Sequence, residues 1–270
     1  MFRSLVELSR IWSRHRHLLL MLANRQFLVR YRGSFLGIFW TLLNPLLLLL
    51  VYGFVFTYLF PPRWNVASQQ QIPFAVILFA GIMVHQYMAD CLVRAPGSIL
   101  EQTSFVKKIV FPLELLVPSY VLSNLTVFMI QWLLLLVATA ATSHQVHIAS
   151  IIWLPFVFIP FTFMIIGISW ILAAIGVYIR DISHMMNLVM MVLLFISPVF
   201  YPLDVFPEPF KHFLYLNPQT FPIEQLRNLM IFGTTPNWSG MVIYAGCSIV
   251  ILCVGFMFFR LMKRGFADVL

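Results

Sequence analysis

Residues 35–60 read FLGIFWTLLNPLLLLLVYGFVFTYLF, a run without a single Asp, Glu, Lys, Arg or His. An α-helix rises about 1.5 Å per residue, so about 20 apolar residues cover the ~30 Å hydrocarbon core of a bilayer. This run is long enough to cross it. Five further stretches have the same character, at 72–93, 115–141, 148–179, 185–202 and 240–259. The whole chain agrees, with 61% hydrophobic residues, 10% charged residues and a mean hydropathy of +0.92. Soluble domains carry roughly 25% charged residues. Ionisable side chains this sparse cannot coat a water-soluble globule of 270 residues, so the apolar surplus must face lipid. The expected fold is all-α and polytopic, with six transmembrane helices. Asn44-Pro45 should bend the first span, and Pro155 and Pro160 should kink the fourth or split off a short interfacial helix before it.

The net charge of +8 would suggest nucleic acid in a soluble protein, but here placement matters more. Arg3, Arg10, Arg14, Arg16, Arg25, Arg30 and Arg32 precede the first span. Arg94, Lys107 and Lys108 follow the second, Arg180 the fourth, and Arg260, Lys263 and Arg264 the sixth. The opposite segments hold only Arg63, Lys211 and Arg227 of the 17 lysines and arginines. By the positive-inside rule both termini are expected in the cytoplasm of a bacterial cell, with the chain in its inner membrane. The early apolar run at 18–23 is short and meets Arg25 at once, so no cleavable signal peptide is expected.

Three segments outside the spans carry pattern. In residues 1–34, Leu5, Leu8, Ile11, Trp12, Leu19 and Leu22 fall on one helical stripe between arginines and histidines, which reads as an amphipathic helix in the cytoplasmic interface. That helix serves as an anionic-lipid anchor or as part of a docking surface. In the loop 94–114, Pro96-Gly97-Ser98 precedes Ile99-Leu100-Glu101, where Ser98 as N-cap and Glu101 three residues on would make a capping box and start a short helix. Residues 201–239 mix six prolines with many aromatic and apolar residues. Dense apolar groups so often interrupted suggest short helices half-immersed in or re-entrant from the outer face.

Chemistry is sparse. Cys91, Cys247 and Cys253 lack ligand or disulfide spacing and read as packing residues. Lys107, Lys108, Lys211 and Lys263 all lack a preceding glycine, so no phosphate-cradling GxxxxGK[ST] loop is present and any ATP must be bound by another polypeptide. The spans are nearly bare of acids that could couple an ion, and His85 and Asp90 read as polar helix-end residues. Asp181 and His184, beside Arg180, form a local pair at a span end rather than a catalytic set. An integral-membrane enzyme, such as a transferase acting on polyprenyl-linked sugars, would require a carboxylate or histidine cluster that is missing here.

From Arg30-Tyr31-Arg32-Gly33-Ser34-Phe35-Leu36-Gly37-Ile38-Phe39-Trp40 through Asn44-Pro45-Leu46, the sequence resembles the polysaccharide and polyol-phosphate exporter permeases of the type-two ABC family. The likeness continues at 106–112 (VKKIVFP), 178–182 (YIRDI), 197–202 (SPVFYP) and Leu216-Asn217-Pro218, with Glu224 and Arg227 beyond. The resemblance implies a subunit that exports O-antigen, teichoic acid or capsule on a polyprenyl diphosphate anchor, O-antigen first among them, with a permease for a small drug as the nearer rival. It implies a homodimer with the pore at its interface and two copies of a cytoplasmic ATPase that bind ATP and Mg, no cofactor being held by this chain. It makes residues 10–26 the interface helix, and Pro96, Gly97, Ser98, Ile99, Leu100, Glu101, Gln102 and Phe105 the coupling segment that docks on the ATPase. Pro202, Phe206, Tyr215, Asn217, Pro218, Glu224 and Arg227 become parts of a periplasmic gate. The domain plan is then 1–34 interface helix, 35–260 transmembrane domain and 261–270 cytoplasmic tail. Arg30 and Arg32 are placed to attract the diphosphate, or to set topology against lipid headgroups. Tyr52, Phe56, Tyr58, Phe195, Phe200 and Tyr201 can offer aromatic faces to sugars, or simply pack.

Overall fold

The computed structural model describes residues 2–59, 73–102, 111–143, 148–205, 207, 211 and 213–269. Among these every regular element is helical. Helix α1 (Phe2–Arg14) and α2 (Arg16–Tyr31) precede α3 (Trp40–Phe54). Then follow α4 (Phe74–Arg94), α5 (Leu116–Ser143), α6 (Ile148–Tyr178), α7 (Ile182–Ile196), α8 (Thr220–Met230), α9 (Trp238–Lys263) and the short α10 (Phe266–Val269). Among the described residues five stretches are long and apolar enough to cross a membrane: Gly37–Phe54, Phe74–Gly97, Leu113–Thr142, Ile151–Tyr178 and Trp238–Lys263.

The fifth apolar stretch is shorter than the sequence suggests. Helix α7 has 15 residues, about 22 Å at the helical rise, because Pro198 bars the helical conformation at Ser197, which is extended at ψ 153°. The fourth span is a single 31-residue helix that keeps Pro155 and Pro160 inside it, so no separate interfacial helix leads into it. Their missing N–H groups free the carbonyls of Ile151 and Phe156 within an otherwise continuous coil. The N-terminal stripe is also divided: the chain breaks at His15 (φ −112°, ψ 21°), giving two helices in place of one. Both halves still use their apolar face, with Leu8 buried on α1 and Leu19, Leu22 and Ala23 buried on α2.

Burial ranks the spans. The apolar stretch of α4 is 78% buried and that of α3 only 11%, so α4 is the axis of the bundle and α3 an outer stave. The closest pair is α6 against α9. It is set by glycines, since a Cβ on Gly255 would collide with the carbonyl of Gly167, and one on Gly167 with the backbone of Ile251. Such backbone-to-backbone contact is how helices gain packing energy in lipid, where no hydrophobic drive holds them together. The link from α2 to α3 turns on Gly33 (φ 84°) and Gly37 (φ 52°), conformations that L side chains rarely adopt.

One end of the bundle gathers both termini. Glu7 on α1 pairs with Arg260 on α9, Lys263 at the end of α9 lies 3.0 Å from Glu114 just before α5, and the Tyr178 hydroxyl at the end of α6 donates to the Met262 carbonyl at 3.0 Å. At the other end Trp153 of α6 meets Trp238 of α9 edge-on, ring centroids 4.7 Å apart. Helix α8 belongs to that end, packed on α4 and α6.

Candidate functional site

At the end that holds the termini, α4 runs past Arg94 through turns at 95–99 into a 3-10 turn, Leu100–Gln102. The expected capping box is not formed. Coiling persists through the Cys91 and Ala95 carbonyls, and the buried Ser98 hydroxyl donates back to the Ala95 carbonyl at 2.7 Å. Glu101 instead lies 3.6 Å from Arg94. Pro96 and Ile99 are buried, while Glu101 is exposed. Pro96 rests on Gly176 of α6 so closely that a Cβ there would run into the Pro96 carbonyl. Movement of this turn therefore bears directly on α6. Phe105 lies outside the described residues.

The two arginines expected at an entrance are separated. Arg30 on α2 donates from Nη2 to the Asn124 side-chain oxygen at 2.7 Å and lies 3.6 Å from Asp90, while Arg32 stays exposed at the helix end. Arg30 joins Arg25 and Arg94, with Gln26, Glu101 and Gln102, around a cavity of about 450 Å³ between α2 and the turn after α4. Two of its three cations, Arg25 and Arg94, escaped sequence reasoning. A signal existed on α2, since Leu22, Arg25, Gln26, Val29 and Arg30 recur at i, i+3, i+4, i+7 and i+8 on one helical face.

At the opposite end the residues expected to form a gate are built into the bundle. Arg227 of α8 is buried and spans three backbone carbonyls, donating from Nε to Ile77 at 3.1 Å, from Nη1 to Pro198 at 2.5 Å and from Nη2 to Val199 at 2.6 Å. Burial lowers its pKa, to about 10, while the Glu224 carboxylate acts in the opposite sense, so the guanidinium is charged at neutral pH. Gly81 makes room for it, since a Cβ there would lie 2.9 Å from Nη2. The carbonyls of Pro198 and Val199 lie in the irregular backbone just beyond α7, where no helical N–H is in register to meet them.

Around them lies a polar knot. The Asn217 amide donates to the Ser197 hydroxyl oxygen at 2.7 Å, the Gln219 amide bonds the same oxygen and the Leu193 carbonyl, and the Gln219 side-chain oxygen lies 3.0 Å from His85 Nδ1. His85 is mid-helix on α4, not the helix-end residue the sequence suggested, and is buried with its partner. The Tyr244 hydroxyl of α9 donates to the Pro218 carbonyl at 2.7 Å, and Thr220 donates to the Leu214 carbonyl at 2.6 Å. Tyr215 is exposed, Pro202 and Glu224 are half-buried, and Phe206 lies outside the described residues.

The aromatic candidates form two groups. Tyr52 contacts Phe56, and Phe56 meets Phe74 edge-on at 5.1 Å, while Tyr58 is exposed and contacts Phe54. Phe195 and Phe200 stack at 5.8 Å on the far end of α7, where the Tyr201 hydroxyl bonds the Phe195 carbonyl. Arg180, Asp181 and His184 are exposed, and the Asp181 side chain makes no cap bond to α7. Cys91 and Cys253 are buried and Cys247 exposed.

Residues 17–231 match the model of the ABC-2 type transporter family. An O-antigen export system permease protein RfbA from Myxococcus xanthus is 29% identical over 267 residues, 98% of this chain and 99% of that one. A protein of the same description from Klebsiella pneumoniae is 26% identical over 254 residues, covering 94% and 95% of the two chains. The polysialic acid transport protein KpsM of Escherichia coli is 22% identical over 241 residues, 87% and 90%.

Proposed function

The chain belongs to the ABC-2 type transporter family, as a multi-pass membrane permease, and from that premise we propose that it is the transmembrane subunit of an ATP-driven exporter of lipid-linked polysaccharide, O-antigen first. The observation that carries this is the likeness to RfbA over 98% of the chain. The lower but still long likeness to KpsM favours a second reading, export of a capsular polymer, and teichoic acid is of the same chemical kind. In this reading the partner ATPase binds ATP and Mg, two copies of each subunit assemble, and both termini face the cytoplasm of the inner membrane.

The proposed mechanism follows the contacts. Closure of the ATPase dimer pushes the turn Pro96–Gln102, which includes Gly97, Leu100 and Glu101, and the seat of Pro96 on Gly176 passes the push to α6. Helix α6 carries α9 with it through Gly167 and Gly255, and α9 holds the gate segment at Pro218 through Tyr244. The cavity edged by Arg25, Arg30 and Arg94 takes the diphosphate, because a dianion in a partly dehydrated site needs charge-assisted donors. Aromatic groups at Tyr52, Phe56, Phe195 and Phe200 offer the glycan apolar faces without a fixed hydrogen-bond pattern.

Vesicles containing this chain and its partner ATPase should export a lipid-linked glycan only with ATP, and the chain alone should hydrolyse no nucleotide. In the same vesicles Glu101→Ala should reduce stimulation of ATP hydrolysis several-fold while insertion stays intact. Full coupling in that variant would remove the turn from its role. Hydrolysis of nucleotide by the permease by itself would end the reading.

A further inference from the structure

Arg94 and Glu101 both border the cavity that the arginines ring, and each is the other's ion-pair partner. Arg94 ends α4, while Glu101 stands on the turn 96–102 that the proposed mechanism sets in motion. Their separation of 3.6 Å exceeds the ~2.7–2.9 Å of a closed charge-assisted hydrogen bond, and their side chains are 36% and 56% exposed. An ion pair so open to water contributes little to stability. Arg94 has a second contact that does not depend on the carboxylate. Its guanidinium lies over the ring of Tyr120, buried on α5, at 5.8 Å from the centroid. The side chain is therefore held at the cavity whether or not Glu101 stays with it. Arg30 is arranged alike, since its short contact is to the Asn124 oxygen at 2.7 Å and Asp90 stands off at 3.6 Å. Each of these cations is fixed by a neutral group and attended by a loose carboxylate.

A cluster of bare arginines would hold a diphosphate too firmly to let it go, and arginines closed onto carboxylates would not take it at all. Passage requires binding strong enough to load and weak enough to release. We infer that Glu101 competes with the substrate's diphosphate for Arg94, and that movement of the turn 96–102 decides which of the two anions wins. The inference rests on the lipid-linked substrate proposed above and adds the release step to it. With the pair at 3.6 Å the carboxylate yields, and the diphosphate takes Arg94. When the ATPase pushes the turn, Glu101 closes on Arg94, the cavity loses a positive charge, and the diphosphate is expelled. The exchange works in both directions, as linkage requires. A diphosphate that has captured Arg94 frees Glu101, so loading changes the face that the turn offers the ATPase.

The test measures equilibrium binding of a polyprenyl diphosphate carrying one sugar to the full chain with its partner ATPase in detergent, first without nucleotide and then with a non-hydrolysable ATP analogue. In the parent the analogue should raise Kd severalfold. Glu101→Gln keeps the shape and removes the charge, so without nucleotide it should tighten Kd about threefold, the factor that loss of one exposed competing ion pair supplies. The same variant should lose most of the response to the analogue. Asp90→Asn, which frees Arg30 of a carboxylate that is not on the turn, should tighten Kd by a similar factor and keep the response. A purely structural role for Glu101 predicts the opposite sign, weaker binding in Glu101→Gln. That result, a parent whose affinity ignores the analogue, or an Asp90→Asn variant that loses the response as Glu101→Gln does, would overturn the competition while leaving the lipid-linked reading standing. Failure of the parent to bind the lipid at all would overturn that reading and the competition with it.

Discussion

Arg227 shows what one side chain can fix. Its planar fork carries five donors, and here three groups on it reach carbonyls on two separate segments, Ile77 inside α4 and Pro198 with Val199 beyond α7. Lysine keeps the charge but cannot span that set. Arg227→Lys should therefore cost on the order of 3 kcal/mol, as a buried hydrogen-bonded cluster loses partners. Thermal unfolding in detergent checks this, and an unchanged melting point would mean the contacts are dispensable. Gly33 and Gly37 are a milder case. No neighbour would meet a Cβ at either position, so alanine there should cost only the left-handed backbone term, about 1–2 kcal/mol each. The importance of Arg227 was legible in the sequence as part of a motif, but its task was not. Its carbonyl partners lie 150, 29 and 28 residues away, and only the completed fold brings them together. The same holds for His85, whose partner Gln219 is 134 residues distant.

Elements were read with uneven success, and the physical reason is the difference between periodicity and packing. Long apolar runs fixed α4, α5, α6 and α9 to within a few residues, because span length is dictated by the bilayer and not by neighbours. What stayed illegible was how they touch. Nothing local marks Gly176 as the seat of Pro96, or Gly167 and Gly255 as the point where α6 and α9 meet, and the Ser98 capping box failed because α4 went on coiling through it. The seat makes a prediction. Gly176→Val must lift the turn 95–102 from α6, so stimulation of the partner ATPase by the permease should fall severalfold, while Gly246→Val on α9, where a Cβ would meet nothing, should leave it unchanged. Equal loss in both variants would show a general folding defect and not a transmission contact. Replacing Gly255 with valine should be worse for stability than either, since overpacking against backbone typically costs about 1–3 kcal/mol and here no side chain can yield.

For the whole molecule, the helix of unusual length is α7. At about 22 Å it is shorter than the ~30 Å core, and it hands over at once to the broken backbone of 197–205, which lipid cannot satisfy. Its outer face is nonetheless apolar and bare, with Leu188 at 65% exposure, Met191 at 60% and Phe195 at 59%. A helix that is long enough needs only lipid around it, and α9, at 26 residues, is such a helix, although Val242 on it is exposed to 72%. A short one beside irregular backbone is better covered by protein, and a second copy of the chain is the protein that the proposed homodimer provides. Single cysteines distinguish the two surfaces. In a background with Cys247 replaced by serine, Leu188→Cys should form oxidant-induced dimers in native membranes, whereas Val242→Cys should remain monomeric under the same oxidant. The reverse pattern would put α7 against lipid, and the pore would then have to be sought on the α9 side of the bundle.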